Sequence, residues 1–282
     1  MKKEFLLFFV LLTGCHAYQP HTSSMQPIIN RQYQAIGHQP RIDTLVIHYT
    51  VADERRSLAL LTGEHVSSHY LIARLPKPNA VQPEIYQLVP ESQAAWHAGV
   101  SAWRGTNNLN KTSIGIELVN KGFTPGSQQA EGYCQSYPPQ QITALIELAT
   151  KIVKKYAIAP ENIVGHSDIA PLRKFDPGPC FPWQQLAEHG LGAWPDPQRV
   201  NRLLAGRAPS EPVTNQILLP LLQHYGYTVG EHPSIAQQQQ LIRAFQFHFQ
   251  PENISGKGDR LTLARLQALL LQYPWQQWKE PQ

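Results

Sequence analysis

Three things are missing from this 282-residue chain. No stretch interleaves basic and aromatic side chains, and a formal charge of +4 is too mild and too evenly spread to attract a polyanion, so nucleic acid is excluded as a partner. No apolar run reaches the roughly 20 residues that a membrane-spanning helix needs. Cysteine is scarce, at three residues, which leaves room for few covalent links. What remains is ordinary for a folded protein, with 42% hydrophobic and 16% charged residues, and long enough for two domains.

What the chain does contain begins at its N-terminus. Lys2 and Lys3 precede "FLLFFVLL" (Phe5 to Leu12), too short to span a bilayer but suited to an export signal. It runs into "LTGC" (Leu12 to Cys15), which resembles a bacterial lipobox. Residues 1–15 are therefore expected to be a lipoprotein signal, with Cys15 lipidated and first in the mature protein. His16 rather than Asp follows, which in Gram-negative lipoproteins points to the outer membrane, facing the periplasm. Two or more acyl chains, at about 0.8 kcal/mol per buried methylene, make such an anchor stable. In that oxidising compartment Cys134 and Cys180 remain as an even pair, compatible with a disulfide that spacing does not determine.

Residues 16–40 are polar, hold no sustained period and read as a tether. Beyond them, strand-like runs at 44–50, 67–74, 84–90 and 113–120 interleave with helical spacing at 55–61 and from Ile142 to Tyr156. A further short strand, "NIVGH", ends on His166, and a helix starts near Trp183 and stops at Gly190. Without strict alternation the class is α/β, a central mixed β-sheet flanked by helices over 41–190. Residues 191–212 read as a linker with a short helical piece, and Pro209 and Pro212 mark a place to cut. Helical spacing at 214–225, 235–249 and 261–271 predicts a second, small three-helix C-terminal domain over 213–275.

Chemistry gathers in "GHSDIAPLRKFDPGPCFPW" (Gly165 to Trp183). Prolines stiffen a loop that carries an imidazole, two carboxylates and two cations, which suits a site whose geometry matters. A catalytic zinc takes three N or O ligands and keeps one position open. His48 and His166, each at a strand end, supply two; Asp168 or Asp176 supplies the third, and spacing does not choose between them. Glu117 sits inside the apolar "IGIELV", where a carboxylate costs several kcal/mol unless paired or neutralised. Beside a metal it becomes a general base for an activated water.

In this order, "TLVIHYT", "SSHYLI", "YQLVPESQAAWHAG", "TSIGIELVN" and "GHSDIAPLRKFDPGP" closely resemble the zinc-dependent N-acetylmuramoyl-L-alanine amidases of the peptidoglycan-recognition-protein-like (amidase type 2) fold. The resemblance covers residues 40–190. It implies Zn2+ held by His48, His166 and Asp176, with Glu117 as general base and Lys174 as the cation facing the oxyanion. It also implies substrate contacts at Tyr49, Thr50 and His97. Asp168 then becomes either a turn residue or a neighbour of the metal ligands and Arg173 a solvated one, while His69 fits the core or the surroundings of the site. The expected partners are peptidoglycan and muropeptides, acted on by a monomer; a muropeptide-binding lipoprotein without catalysis is the alternative. More weakly, "LIRAFQFHF" and "GKGDRLTLARLQAL" resemble the peptidoglycan-binding type 1 domain, with Ser255-Gly256 where that family has Asp-Gly.

Overall fold

A computed structural model describes residues 29–33, 35–124 and 133–275. The signal segment, the lipobox with Cys15 and most of the tether lie outside the described residues. The elements in chain order are β1 (Thr44–Tyr49), α1 (Glu54–Leu61), β2 (Tyr70–Ile72), β3 (Ile85–Gln87), the hairpin β4 (Ala102–Trp103) and β5 (Thr106–Asn107), and β6 (Ser113–Leu118). They continue with β7 (Phe123–Thr124), β8 (Tyr133–Cys134), α2 (Pro139–Tyr156), β9 (Ile163–Gly165), α3 (His166–Ile169) and α4 (Trp183–Glu188). The chain closes with α5 (Pro197–Leu204), α6 (Asn215–Tyr225), α7 (Ile235–Phe249) and α8 (Arg260–Gln272).

Five strands form the main sheet in the order β3-β2-β6-β1-β9. β1 runs parallel to β6 and β9, β2 runs parallel to β6, and β3 is antiparallel at the edge. This is the expected mixed sheet. The central strands read as apolar runs because both of their faces are covered. Leu45 and Ile47 of β1 join Ile114, Ile116 and Leu118 of β6 on one face. There they meet Ile142, Leu145, Ala149 and Ile152 of α2, a helix opened by Pro139 at its first turn.

The opposite face explains the C-terminal helices. Val46 and Val164 of the sheet, with Ala98, Trp103 and Ile169, share one core with Leu218, Leu222, Tyr225, Tyr227, Ile242, Phe245 and Phe249. The expected linker holds α5, capped by Asp196, whose side chain accepts from Arg199 N at 2.6 Å. Val200 of α5 packs on Ala264 and Ala268 of α8. The segment 191–212 thus marks a change of composition, and the sheet and the helices beyond it are joined through a common interior. Phe245, Gln246 and Leu266, within the motifs that resemble a wall-binding domain, are fully buried. Their sequence pattern is accounted for by packing and by Gln246, which donates to Lys257 O and accepts from Gly256 N.

Candidate metal centre

Parallel register decides which groups can meet. His48 on β1 lies opposite Glu117 on β6, so both leave the sheet on the same side, near the C-terminal ends of their strands. β9 ends at Gly165 and turns directly into α3, whose first residue is His166. The loop after α3 returns Asp176, and Ser167 N donates to Asp176 O at 2.8 Å to fasten the two arms of the turn.

The three side chains converge. His48 Nδ1 lies 3.0 Å from His166 Nδ1 and 2.9 Å from Asp176 Oδ2, and His166 Nδ1 lies 3.0 Å from the same oxygen. His48, His166 and Asp176 are buried, and their ligand atoms fall within 4.8 Å of one another, a cluster that can hold a metal ion. The fit can be tested on His166. Its Nε2 is 3.0 Å from Ala98 O, which only accepts, so Nε2 carries the proton and Nδ1 a lone pair. A lone pair facing a carboxylate oxygen at that distance calls for a cation between them. Two imidazole nitrogens and a carboxylate oxygen are the donor set of a catalytic zinc.

Electrostatics agree with that reading. Burial and the neighbouring His166 push the His48 imidazole down to about 4, which leaves it neutral, as a ligand must be. Burial acts to raise Asp176, but in the metal-free cluster the imidazoles of His166 and His48, where they carry a proton toward it, outweigh burial and hold the carboxyl below the ordinary range. Burial and the charge of Asp176 push Glu117 up to about 8. Its Oε2 is shielded from solvent and has no hydrogen-bond partner. An acid left this way in a strand has no structural explanation.

A cleft of about 230 Å3 opens beside these groups, lined by Tyr49, Thr50, Trp96, His97, Glu117 and Lys174 together with His166 and Asp176. The expected site residues are therefore brought together, Cys15 excepted, which lies outside the described residues. His97 sits there nearly buried, with both ring nitrogens in contact with protein groups, His48 and Ser113. His69 is a core residue that accepts from Gly115 N and bonds Gln93 O. Arg173 is exposed, as expected, and also donates through Nη2 to Ala98 O and Val100 O, each at 2.9 Å, carbonyls that lie outside any strand. Cys180 is bonded to Cys134 and is no ligand here.

Asp168 is a turn residue, as expected, but a heavily engaged one. Its fully buried carboxylate accepts from Gly165 N at 2.7 Å, Tyr227 Oη at 2.6 Å and His248 Nδ1 at 2.8 Å. The His248 ring is stacked between Trp183 and Phe249, with centroids 3.8 Å away on each side. Sequence reasoning missed Tyr227 and His248, because nothing local to them marks a partner so far along the chain. It also missed Ser113 and Asn110, although Gly115 within a strand was a signal of close approach by another group.

Comparison with known proteins places this geometry. Residues 38–179 match the family described as N-acetylmuramoyl-L-alanine amidase. The chain is 50% identical to the N-acetylmuramoyl-L-alanine amidase AmiD of Escherichia coli K12 over 94% of its own length and 95% of that protein's. It is 39% identical to the 1,6-anhydro-N-acetylmuramyl-L-alanine amidase AmpD of the same organism, over 52% of this chain and 70% of that one. A solved complex of E. coli AmiD with the substrate anhydro-N-acetylmuramic acid-L-Ala-D-γ-Glu-L-Lys superposes with a TM-score of 0.83 at 52% identity, covering 87% of this chain and 95% of that one. AmpDh3 from Pseudomonas aeruginosa gives a TM-score of 0.80 at 40% identity, covering 89% and 100%.

Proposed function

The chain belongs to the N-acetylmuramoyl-L-alanine amidase family, and from that premise we propose how it works. It hydrolyses the amide joining N-acetylmuramic acid, or its anhydro form, to the L-alanine of the peptidoglycan stem peptide, with zinc held by His48, His166 and Asp176. The observation that carries this reading is the ligand triangle with an unpartnered buried carboxyl beside it in one cleft.

Bound there, zinc supplies a Lewis acid for the amide carbonyl and lowers the pKa of water from 15.7 to roughly 7. The chain's own groups do the rest. Glu117 takes a proton from the attacking water and returns it to the departing alanine amine. A carboxyl pushed upward by its surroundings suits both halves of that exchange. Lys174 lines the cleft and offers its ammonium to the oxygen on which negative charge develops. One preorganised partner of that kind contributes roughly 3 kcal/mol in comparable hydrolases. Tyr49 and Thr50 form part of the wall against which the muropeptide lies.

The same reading assigns an address. The "LTGC" sequence supports a lipid anchor on Cys15, and His16 supports the outer membrane, with a monomer facing the periplasm. A binding protein without catalysis would have no use for Glu117 beside three ligands. The deciding experiment is zinc analysis of the purified chain together with release of L-alanine peptides from sacculi. One zinc per chain and released peptide are expected. Sedimentation with sacculi but no release would leave only the binding role.

A further inference from the structure

His48 has two ring nitrogens, and only the one that carries a lone pair can hold a metal. The hydrogen bonds behind it decide which. Ser113 Oγ lies 2.5 Å from Leu109 O, a carbonyl that only accepts, so the serine proton is committed there. Toward His97 Nε2, 3.2 Å away, Ser113 Oγ can then only accept, and Nε2 of His97 bears the proton. In the neutral ring this leaves His97 Nδ1 bare, facing His48 Nε2 at 2.9 Å. His48 Nε2–H therefore donates, and His48 Nδ1 turns its lone pair to His166 and Asp176.

The backbone is shaped to hold this arrangement. A Cβ at position 115 would come within 2.5 Å of His97 Cγ, so the ring rests directly on the strand where Gly115 lies. Asn110 Oδ1 accepts from the amides of His97 at 3.1 Å and Ala98 at 2.8 Å, pinning the loop that carries the ring. The imidazoles of His48 and His97 meet edge to face, with centroids 5.0 Å apart.

We propose that His97 is a positioning residue rather than a substrate contact: together with Ser113 it holds His48 in the Nε2–H tautomer and so fixes Nδ1 as the metal donor. The inference rests on the metal reading above, and it adds a direction to it. Leu109 O and Ala98 O set the tautomers of the two histidine ligands, one at the end of a relay and one by direct contact.

Leucine and asparagine have nearly the same shape and differ in the acceptor, which makes them the test. In the full chain, zinc affinity is measured by competition with a chelator for native protein, His97→Leu, His97→Asn and Ser113→Ala. Loss of an orienting partner behind a metal ligand costs about 10- to 100-fold in affinity, the loss expected for His97→Leu. His97→Asn, whose Oδ1 can still accept from His48, should stay within a few-fold of native, and Ser113→Ala should fall between. In zinc-loaded protein labelled with 15N-histidine, a nitrogen–nitrogen coupling across the hydrogen bond should join His48 Nε2 to His97 Nδ1, and it should vanish in His97→Leu. Native-like zinc affinity in both His97→Leu and Ser113→Ala overturns the relay, as does absence of the coupling in native protein. If His97→Leu fails to fold, Ser113→Ala and the coupling decide alone. Failure of the native chain to take up zinc overturns the metal reading itself and the relay with it, and is told apart from the other outcomes because it needs no variant.

Discussion

The two faces of the central sheet come from the same alternating strands and end differently. On one face, Leu45, Ile47, Ile114, Ile116 and Leu118 meet the apolar stripe of the amphipathic helix α2, with Trp183 and Leu186 of α4 in the same core. That interface is apolar except where the buried Gln141 of α2 donates to Ile72 O, Ala73 O and Val119 O. On the other face, the apolar residues Val46 and Val164 lie beneath helices from the last third of the chain, while near the strand ends Glu117 lines the cleft and His48 is buried in the metal cluster. Cover over the second face is also polar at one point, where Tyr227 and His248 reach Asp168 in the turn between His166 and Asp176 of the metal cluster. A face that only has to be apolar is closed by whatever helix is near; a face that has to hold chemistry is closed by residues chosen one at a time.

The strongest way to break that comparison is to remove the cover. A chain ending at Ser210 uncovers Val46, Ala98, Trp103, Val164 and Ile169 and leaves the Asp168 carboxylate without Tyr227 and His248. Domain stabilities are only about 5–15 kcal/mol, so this fragment is expected to lose cooperative folding. Circular dichroism melts would check it, and a soluble fragment with a sharp transition and native zinc content would prove the sheet self-sufficient. Next in size is the loss of a ligand. His166→Ala and Asp176→Ala should each abolish stoichiometric zinc and amide hydrolysis, read by metal analysis and by peptide release; full occupancy in either would remove that residue from the set.

Glu117→Gln should keep its zinc and its fold while turnover drops by at least about a hundredfold, the loss expected when a general base is removed. Near-normal turnover would move the base elsewhere. Tyr227→Phe sharpens the comparison without opening the core. It deletes one hydrogen bond to a buried carboxylate, a loss of about 1–3 kcal/mol, which a lowered denaturation midpoint would record. An unchanged midpoint would mean the polar contact adds nothing to the apolar cover.

The smallest effect is one of pH. In metal-free protein the Glu117 carboxyl is raised to about 8, so between its ordinary 4.5 and that value the folded chain keeps a proton the unfolded chain has released. Its contribution is therefore complete below the unfolded value and is lost as pH rises toward the folded one. Metal-free Glu117→Gln should melt like the native chain near pH 4 and a few degrees higher at pH 8. A gap that does not change with pH would mean that burial of this carboxyl is not the cause.

Much of this was legible in the sequence, for physical reasons. Strands β1 and β6 announce themselves through β-branched and apolar runs, and α2, α7 and α8 through their helical spacing. The cluster residues His48 and His166 were legible because strand ends are where side chains can face one another, and Glu117 because an acid in an apolar strand needs a reason. Asp168 and Asp176 could not be separated by spacing, since both follow His166 in one loop; the family motif chose between them, and the fold assigns the first to the helices and the second to the metal cluster. The shared core was not legible. Tyr227 and His248 meet Asp168 across 59 and 80 residues, and no local pattern encodes a contact of that separation.

Gly115 contributes no functional group, yet its place on β6 sets a limit on how this protein can vary. Gly115→Ala adds one methyl in the space that the His97 ring occupies. The ring would have to leave, and His48 would lose the neighbour against which it is aligned, although every ligand and every acid was still present. In a map of tolerated substitutions, a position chosen for its emptiness would look as intolerant as the residues proposed to bind the metal. An alignment scored by chemistry alone would pass over it.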